Sequence, residues 1–137
     1  EGPIFTHPRF LRPTKIEGAQ LKNVLLSEGS VILNAQVEST VVGLRTVIGR
    51  RTQIKRTIIM GVDEDFSRGG QNIGVEPSIG DGSVIENAIL DKNVSIGKNV
   101  KILNKKGIVD FDGENYYIRD KIVIIPKNTK ISDGTII

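Results

Sequence analysis

The 137-residue sequence contains no cysteine and no tryptophan, and it has only one histidine and one methionine. The absence of cysteine excludes a disulfide scaffold, a zinc site with thiolate ligands and a cysteine nucleophile. Aromatic residues make up only 4% of the chain, so a core has to be built from aliphatic side chains. No apolar run approaches the roughly 20 residues that span a bilayer, and we expect no membrane partner.

The sequence also lacks a large excess of charge of either sign. The chain has 19 basic and 16 acidic residues, which gives a net charge of +3. This balance does not argue for nucleic acid as a partner, but it permits small anionic ligands. Hydrophobic residues account for 38%, and 15 glycines punctuate them. The composition is that of one folded domain with an aliphatic core.

Branched aliphatic residues recur every five or six positions along most of the chain. A helix would place them three and four apart, and an ordinary strand would alternate briefly and stop. A sustained step of six, often with Gly next and a small residue four positions on, is typical of the hexapeptide repeat of a parallel β-helix. An ordinary β-sandwich is the alternative, but it has no reason to keep this step. The ladder comprises Ile16, Leu21, Leu26, Ile32, Val37, Val42, Ile48, Ile54, Ile59, Ile73, Ile79, Ile85, Leu90, Ile96, Ile102, Ile125, Ile131 and Ile137.

Each hexad predicts one short strand and one corner, so three hexads make a triangular coil of about 18 residues. The aliphatic anchors should point into the prism and stack from coil to coil. We therefore expect Ile79, Ile85, Ile96 and Ile102 to be interior. Steps of five, as from Val37 to Val42, predict corners that are one residue shorter.

Three stretches interrupt the ladder, and together they hold all six aromatic residues. Residues 1–15 are proline-rich, which predicts an extended arm rather than a helix or a central strand. Residues 61–72 and 103–117 are polar loop excursions. The rest, within 16–137, is enough for about five coils. The last hexad reaches Ile137 without a polar cap, so we expect another segment or subunit to cover the final coil.

Few residues suggest catalysis. A hexapeptide-repeat acyltransferase that uses coenzyme A is one hypothesis, but such an enzyme needs a histidine base, and His7 lies alone in the arm. Asp63, Glu64 and Asp65 fit no calcium loop and favour a solvated loop. The Gly69-Gly70 step lacks a nucleotide-binding motif around it.

Four cations are better placed to bind an anion. Lys92 and Lys127 lie at predicted corners, Arg9 lies in the arm, and Arg119 follows Tyr116-Tyr117. Each is an ordinary surface charge by itself, but several cations around one phosphate form charge-assisted hydrogen bonds. The interval from Lys92 to Lys127, about two coils plus the 103–117 excursion, permits both to lie on the same edge of the prism.

Several segments resemble the carboxyl-terminal domain of ADP-glucose pyrophosphorylase (glucose-1-phosphate adenylyltransferase) of the cyanobacterial and plant type. The similarity runs along essentially the whole chain, and its arm, its Asp-Lys-Asn corner and its terminal segment are the most specific parts. The segments are 3–15, 41–45, 58–61, 89–93, 96–97, 116–119 and 127–137.

The resemblance implies a left-handed parallel β-helix that follows a catalytic nucleotidyltransferase domain. That domain makes ADP-glucose and pyrophosphate from glucose 1-phosphate and ATP with Mg²⁺, for glycogen or starch synthesis, and its motifs are absent from this sequence. We therefore expect no cofactor here. The implied localisation is the cytoplasm, or the plastid stroma in a plant.

The resemblance also implies a regulatory and oligomerisation role. In the family this domain helps to assemble a tetramer and to form a pocket where 3-phosphoglycerate activates and inorganic phosphate inhibits. The effector-binding residues carry over to Lys92, Lys127 and Arg9. His7 stands nearby in the arm, where relatives often have glutamine. The implied partners are the catalytic domain, other subunits and a phosphorylated effector.

Overall fold

The computed structural model describes residues 12–63 and 77–137, and these residues form fifteen short strands and no helix. None of the described segments is therefore a helix that could cross a membrane. The strands are Lys15–Glu17 (β1), Gln20–Leu26 (β2), Val31–Leu33 (β3), Gln36–Val42 (β4), Val47–Ile48 (β5), Gln53–Lys55 (β6), Ile58–Ile59 (β7), Val84–Glu86 (β8), Ala88–Leu90 (β9), Ser95–Ile96 (β10), Lys101–Ile102 (β11), Asp110–Asp112 (β12), Tyr117–Arg119 (β13), Ile122–Ile125 (β14) and Lys130–Ile131 (β15).

The strands wind into a parallel β-helix with three faces. The first face carries β1, β3 and β5, and it continues through Ile79 to β10 and β15. The second face consists of the first halves of β2 and β4 followed by β6, β8 and β11. The third face consists of the second halves of β2 and β4 followed by β7, β9 and β14. Every pairing between successive coils within these faces is parallel.

A coil is shorter than the hexad count predicts. Lys15 pairs with Val31 and Val31 with Val47, a repeat of 16 residues, whereas Gln36 pairs with Gln53 after 17. The corner between the second and third faces is one residue shorter in four coils, where a single residue with positive φ turns the chain (Asn23, Ser39, Arg56 and Asn87). In the first two coils the corner between the first and second faces is also one residue shorter, at Gly18 and Asn34, so these coils have 16 residues. Five turns separate β1 from β15, as the sequence predicts.

The aliphatic ladder fills the interior. Ile79, Ile85, Ile96 and Ile102 are at most 1% exposed, so the prediction that they are interior is confirmed. The small residues four positions after the anchors also face inward, and their hydroxyls are paired. Thr52, for example, is buried and donates to the Gly49 carbonyl at 2.9 Å.

The outer side of the third face is apolar, unlike that of the second face. Its outward residues come from β2, β4, β7, β9 and β14 in register, and the side chains of Leu25, Val41 and Ile58 are exposed. The corresponding outward residues of the second face are Gln20, Gln36 and Gln53, on the same coils. Inward and outward residues therefore alternate on the third face, although both sets are aliphatic.

The two ends of the prism differ. At the amino-terminal end, Ile16 and Leu21 point along the interior columns but are 48% and 38% exposed, because no described coil packs beneath them. At the carboxyl-terminal end, Ile131 is buried, and Ile118 of β13 belongs to the same core cluster. The final coil is thus covered by a segment of the chain itself, one of the two alternatives that we expected.

This cover is the second excursion, which is more ordered than the predicted loop at 103–117. It extends to Lys121 and forms an antiparallel hairpin of β12 and β13, which continues into β14. The rings of Phe111 and Tyr116 lie 5.4 Å apart across this hairpin. Most of the first excursion, including Glu64, Asp65 and Gly69-Gly70, lies outside the described residues, as do Ile73 of the ladder and residues 1–11 of the arm.

Candidate functional site

The third face turns into the first face at a corner that recurs in every coil. Leu90 ends β9 and pairs with Ile125, which ends β14, so the corner residues after them stack. The Asn128 N–H donates to the Lys92 carbonyl at 3.0 Å, which places Lys127 one coil beyond Lys92. Adjacent parallel strands lie about 4.8 Å apart, and the two lysine backbones are separated by about that distance. We call this edge the lysine corner, comprising residues 91–93 and 126–128.

The two lysines lie on the same edge of the prism, as the sequence permitted, but they are closer than the predicted two coils. Only one coil separates them, although the interval between the two corners is 35 residues. The excursion at 103–121 occupies more than half of this interval and leaves the prism before the chain returns in β14. Its length therefore adds nothing to the distance along the prism axis.

Asparagines hold the lysine corner in a left-handed backbone conformation. Asn93 and Asn128 have φ of 60° and 62°, a region that asparagine tolerates better than most residues. Asn93 Nδ2 donates to Asn128 Oδ1 at 3.1 Å and thus links the two coils. The same amide also donates to Asp63 Oδ2 at 3.2 Å, while the Asp63 N–H donates to Asn93 Oδ1 at 2.8 Å. These bonds fix the backbone that carries both lysines.

The corner carries charges of both signs beside a shallow cavity. Lys92 Nζ lies 3.7 Å from Asp63 Oδ1, and both side chains are about half exposed. Arg45 lies two coils before Asn93 in the same column, and its Nη1 donates to the Val62 carbonyl at 3.4 Å. The cavity has a volume of about 160 Å³, several times the space of one water molecule. Its lining residues are Leu44, Arg45, Met60, Gly61, Val62, Asp63 and Lys92.

Arg9 and His7 lie outside the described residues. The described part of the arm begins at Arg12, and Thr14 Oγ1 donates to the Ser27 carbonyl at 3.3 Å. The Lys15 N–H then donates to the Ser30 carbonyl at 2.9 Å. Residues 27–30 are the counterpart of the lysine corner three coils earlier, because Leu26 lies in the same column as Leu90. The chain thus enters the β-helix along the edge that carries both lysines.

Arg119, the fourth candidate cation, already contacts neighbouring residues of the hairpin. Arg119 forms an ion pair with Asp112, donates to the Ile118 carbonyl at 2.8 Å and lies over the Tyr117 ring. The hydrogen bond that Arg119 donates to the Asp112 carboxylate raises the pKa of Arg119 above its usual value. Within residues 12–63 and 77–137, no group of three or more acidic, histidine or cysteine side chains is arranged to hold a metal ion.

Sequence reasoning missed Asp63 and Arg45. Asp63 was interpreted as part of a solvated loop, but its carboxylate contacts Lys92 across one coil. The hexad register predicts only which corners stack, since Ile59 and Leu90 are equivalent anchors, and it aligns Gly61 rather than Asp63 with Lys92. Applying the same register from Val42 aligns Leu44 with Lys92 and Arg45 with Asn93.

A comparison with protein families identifies the fold and its hand. The family model described as the GLGC left-handed parallel β-helix domain matches residues 9–136, which is nearly the whole chain. The match agrees with the parallel coils of the structure and with the resemblance found in the sequence. The chain therefore belongs to the GLGC left-handed parallel β-helix domain family, the carboxyl-terminal β-helix of ADP-glucose pyrophosphorylase.

Proposed function

We propose that this domain is the regulatory and oligomerisation module of an ADP-glucose pyrophosphorylase and binds a phosphorylated effector at the lysine corner. The parent enzyme makes ADP-glucose and pyrophosphate from glucose 1-phosphate and ATP, and its catalytic domain supplies the Mg²⁺ and nucleotide sites. The observation that carries the proposal is the stacking of Lys92 on Lys127 in adjacent coils beside a cavity. The parent would act in the cytoplasm, or in the plastid stroma of a plant.

Two stacked lysines favour an anion with two charges. Unit charges about 5 Å apart repel each other by about 1 kcal/mol in water and about 3 kcal/mol near a protein surface. A phosphate group between the ammonium groups removes this repulsion and accepts charge-assisted hydrogen bonds from both. 3-Phosphoglycerate and inorganic phosphate, the effectors that the family resemblance implies, both have this chemistry.

The arm is the second proposed part of the site. Thr14 and Lys15, at the described end of the arm, join the β-helix on the edge that carries Lys92. We include Arg9 as a third cation of the site and His7 as a polar contact. A stand-alone acyltransferase has no comparable support, because the matched family is that of the GLGC β-helix.

The open first coil supports the assembly role. β2 is a seven-residue strand that pairs with β4 on one side only within the described chain. Unpaired strand edges beside exposed aliphatic side chains favour association with another chain or domain. Ile16 and Leu21 provide these side chains here. We propose that this end is covered in a tetramer of the parent enzyme.

Steady-state kinetics of the full-length enzyme test the effector site. Lys92→Glu or Lys127→Ala should raise the activator concentration for half-maximal stimulation at least tenfold, about 1.4 kcal/mol. Turnover without activator should hardly change, since the reaction belongs to another domain and the effector shifts an equilibrium between states. Lys101→Ala is a matched control, because Lys101 is an exposed residue of the second face.

Basal turnover and the activator concentration for half-maximal stimulation together distinguish a regulatory role of the lysines from a catalytic one. If both variants lose basal turnover while their activator affinity stays normal, the lysines support catalysis and the regulatory assignment is wrong. An equal loss of activator affinity in the Lys101→Ala control would show that general surface charge, and not the lysine corner, determines this affinity.

A further inference from the structure

Asp63 is held directly against one of the two lysines. Its Oδ1 lies 3.7 Å from Lys92 Nζ, and its Oδ2 accepts a hydrogen bond from Asn93 Nδ2 at 3.2 Å. The backbone of Asp63 is fixed as well, because its N–H donates to Asn93 Oδ1 at 2.8 Å. This reciprocal contact with Asn93 holds the carboxylate beside Lys92. Asp63 and Lys92 both line the cavity.

We propose that Asp63 is an internal competitor for the anion and weakens the binding of phosphate at Lys92. The proposal rests on the effector site proposed above. A carboxylate and a phosphate cannot both approach Lys92 closely without strong mutual repulsion, so a ligand has to displace the Asp63 carboxylate. The contact with Asp63 therefore keeps Lys92 paired until an anion displaces the carboxylate.

The size of the effect follows from the ion pair that an anion has to break. Any anion that binds Lys92 loses affinity according to the fraction of the protein in which Asp63 occupies this lysine, so phosphate and carboxylates are weakened alike. The preference for phosphate comes instead from its second charge and from its reach to Lys127, one coil away. Exposed ion pairs of this kind change an equilibrium by up to about fivefold, which sets the scale of the effect.

NMR titration of the 137-residue chain tests the proposal without the parent enzyme. Inorganic phosphate, above its second pKa, and acetate are added at constant ionic strength, and the backbone amides of Asn93 and Asn128 are followed. Asp63→Asn should lower the dissociation constant for phosphate about threefold or more, and it should lower the constant for acetate by a similar factor. Glu114→Gln removes the same charge from the exposed tip of the hairpin and should leave both constants unchanged.

A Lys92→Gln variant and a double variant test whether Asp63 acts through Lys92. Asp63→Asn introduced into a Lys92→Gln chain should give no tighter phosphate binding than Lys92→Gln alone. Additive effects in the double variant would mean that Asp63 acts by general electrostatics, which overturns the proposal.

The remaining outcomes separate this inference from the effector site itself. Equal phosphate binding by the wild type and Asp63→Asn overturns the competitor role and leaves the effector site intact. If no anion binds to either chain, both proposals are wrong.

Discussion

An acidic substitution at Ile96 should unfold the coils around it. Ile96 is 1% exposed and lies between Ile79 and Ile131 in the interior column of the first face. Ile96→Asp removes about 1.5–3 kcal/mol of side-chain burial. It also leaves a carboxylate without a partner among aliphatic groups, at a cost of several kcal/mol. The sum, about 5 kcal/mol or more, is comparable to the entire stability of a typical domain.

Circular dichroism during thermal and denaturant unfolding measures this loss. Because each coil contacts only its neighbours, Ile96→Asp should abolish the cooperative transition rather than merely shift it. Ile96→Val, which deletes one methylene group, should retain the transition and cost only about 0.5–1.5 kcal/mol.

Ile58→Asp is the decisive control. Ile58 is an isoleucine of the same β-helix, but it points outward on the third face and is 43% exposed. Its replacement should change the free energy of unfolding by about 0.5 kcal/mol or less. A cooperative wild-type melt for Ile96→Asp, or an equal loss at Ile58, would refute the assignment of inward and outward residues.

Two further predictions concern the coil contacts and the open end. Gly97→Ala should destabilise the domain by about 1–3 kcal/mol in a denaturant melt, because an added Cβ would lie 2.7 Å from the Asp133 backbone nitrogen; wild-type stability would contradict this close approach. Leu21→Glu should barely alter the melt, since Leu21 is exposed at the first coil, but it should lower the mass of the full-length enzyme in light scattering. A tetramer that persists in this variant would show that the open end does not hold the subunits together.

The β-helix and its interior could be predicted from the sequence because the repeat is local. An anchor such as Ile79 is followed six residues later by Ile85, and both are inside, since one strand and one corner return the side chain to the same direction. The corner asparagines were also predictable, because Asn93 and Asn128 tolerate the positive φ of these turns. The same reasoning overestimated the coil by one or two residues, since the shortened corner recurs in each of the first four coils.

The candidate site was predictable only in part. Lys92 and Lys127 could be assigned to corners from their neighbours, and the same edge was a permitted arrangement. The separation of these lysines by a single coil could not be predicted, because the length of an excursion does not reveal whether the chain continues around the prism or leaves it as a hairpin.

The sequence by itself thus determined which residues face inward and which types occupy the corners, because these features depend on the chain within one hexad. Only the tertiary structure decided which coils meet, and therefore that Asp63 contacts Lys92 and that β13 covers the final coil. The contact between Asp63 and Lys92 joins residues 29 positions apart. Their coils are brought together by backbone hydrogen bonds that any residue can form, such as that from the Asn93 N–H to the Gly61 carbonyl. The register between coils is consequently fixed by the whole stack and not by the local sequence.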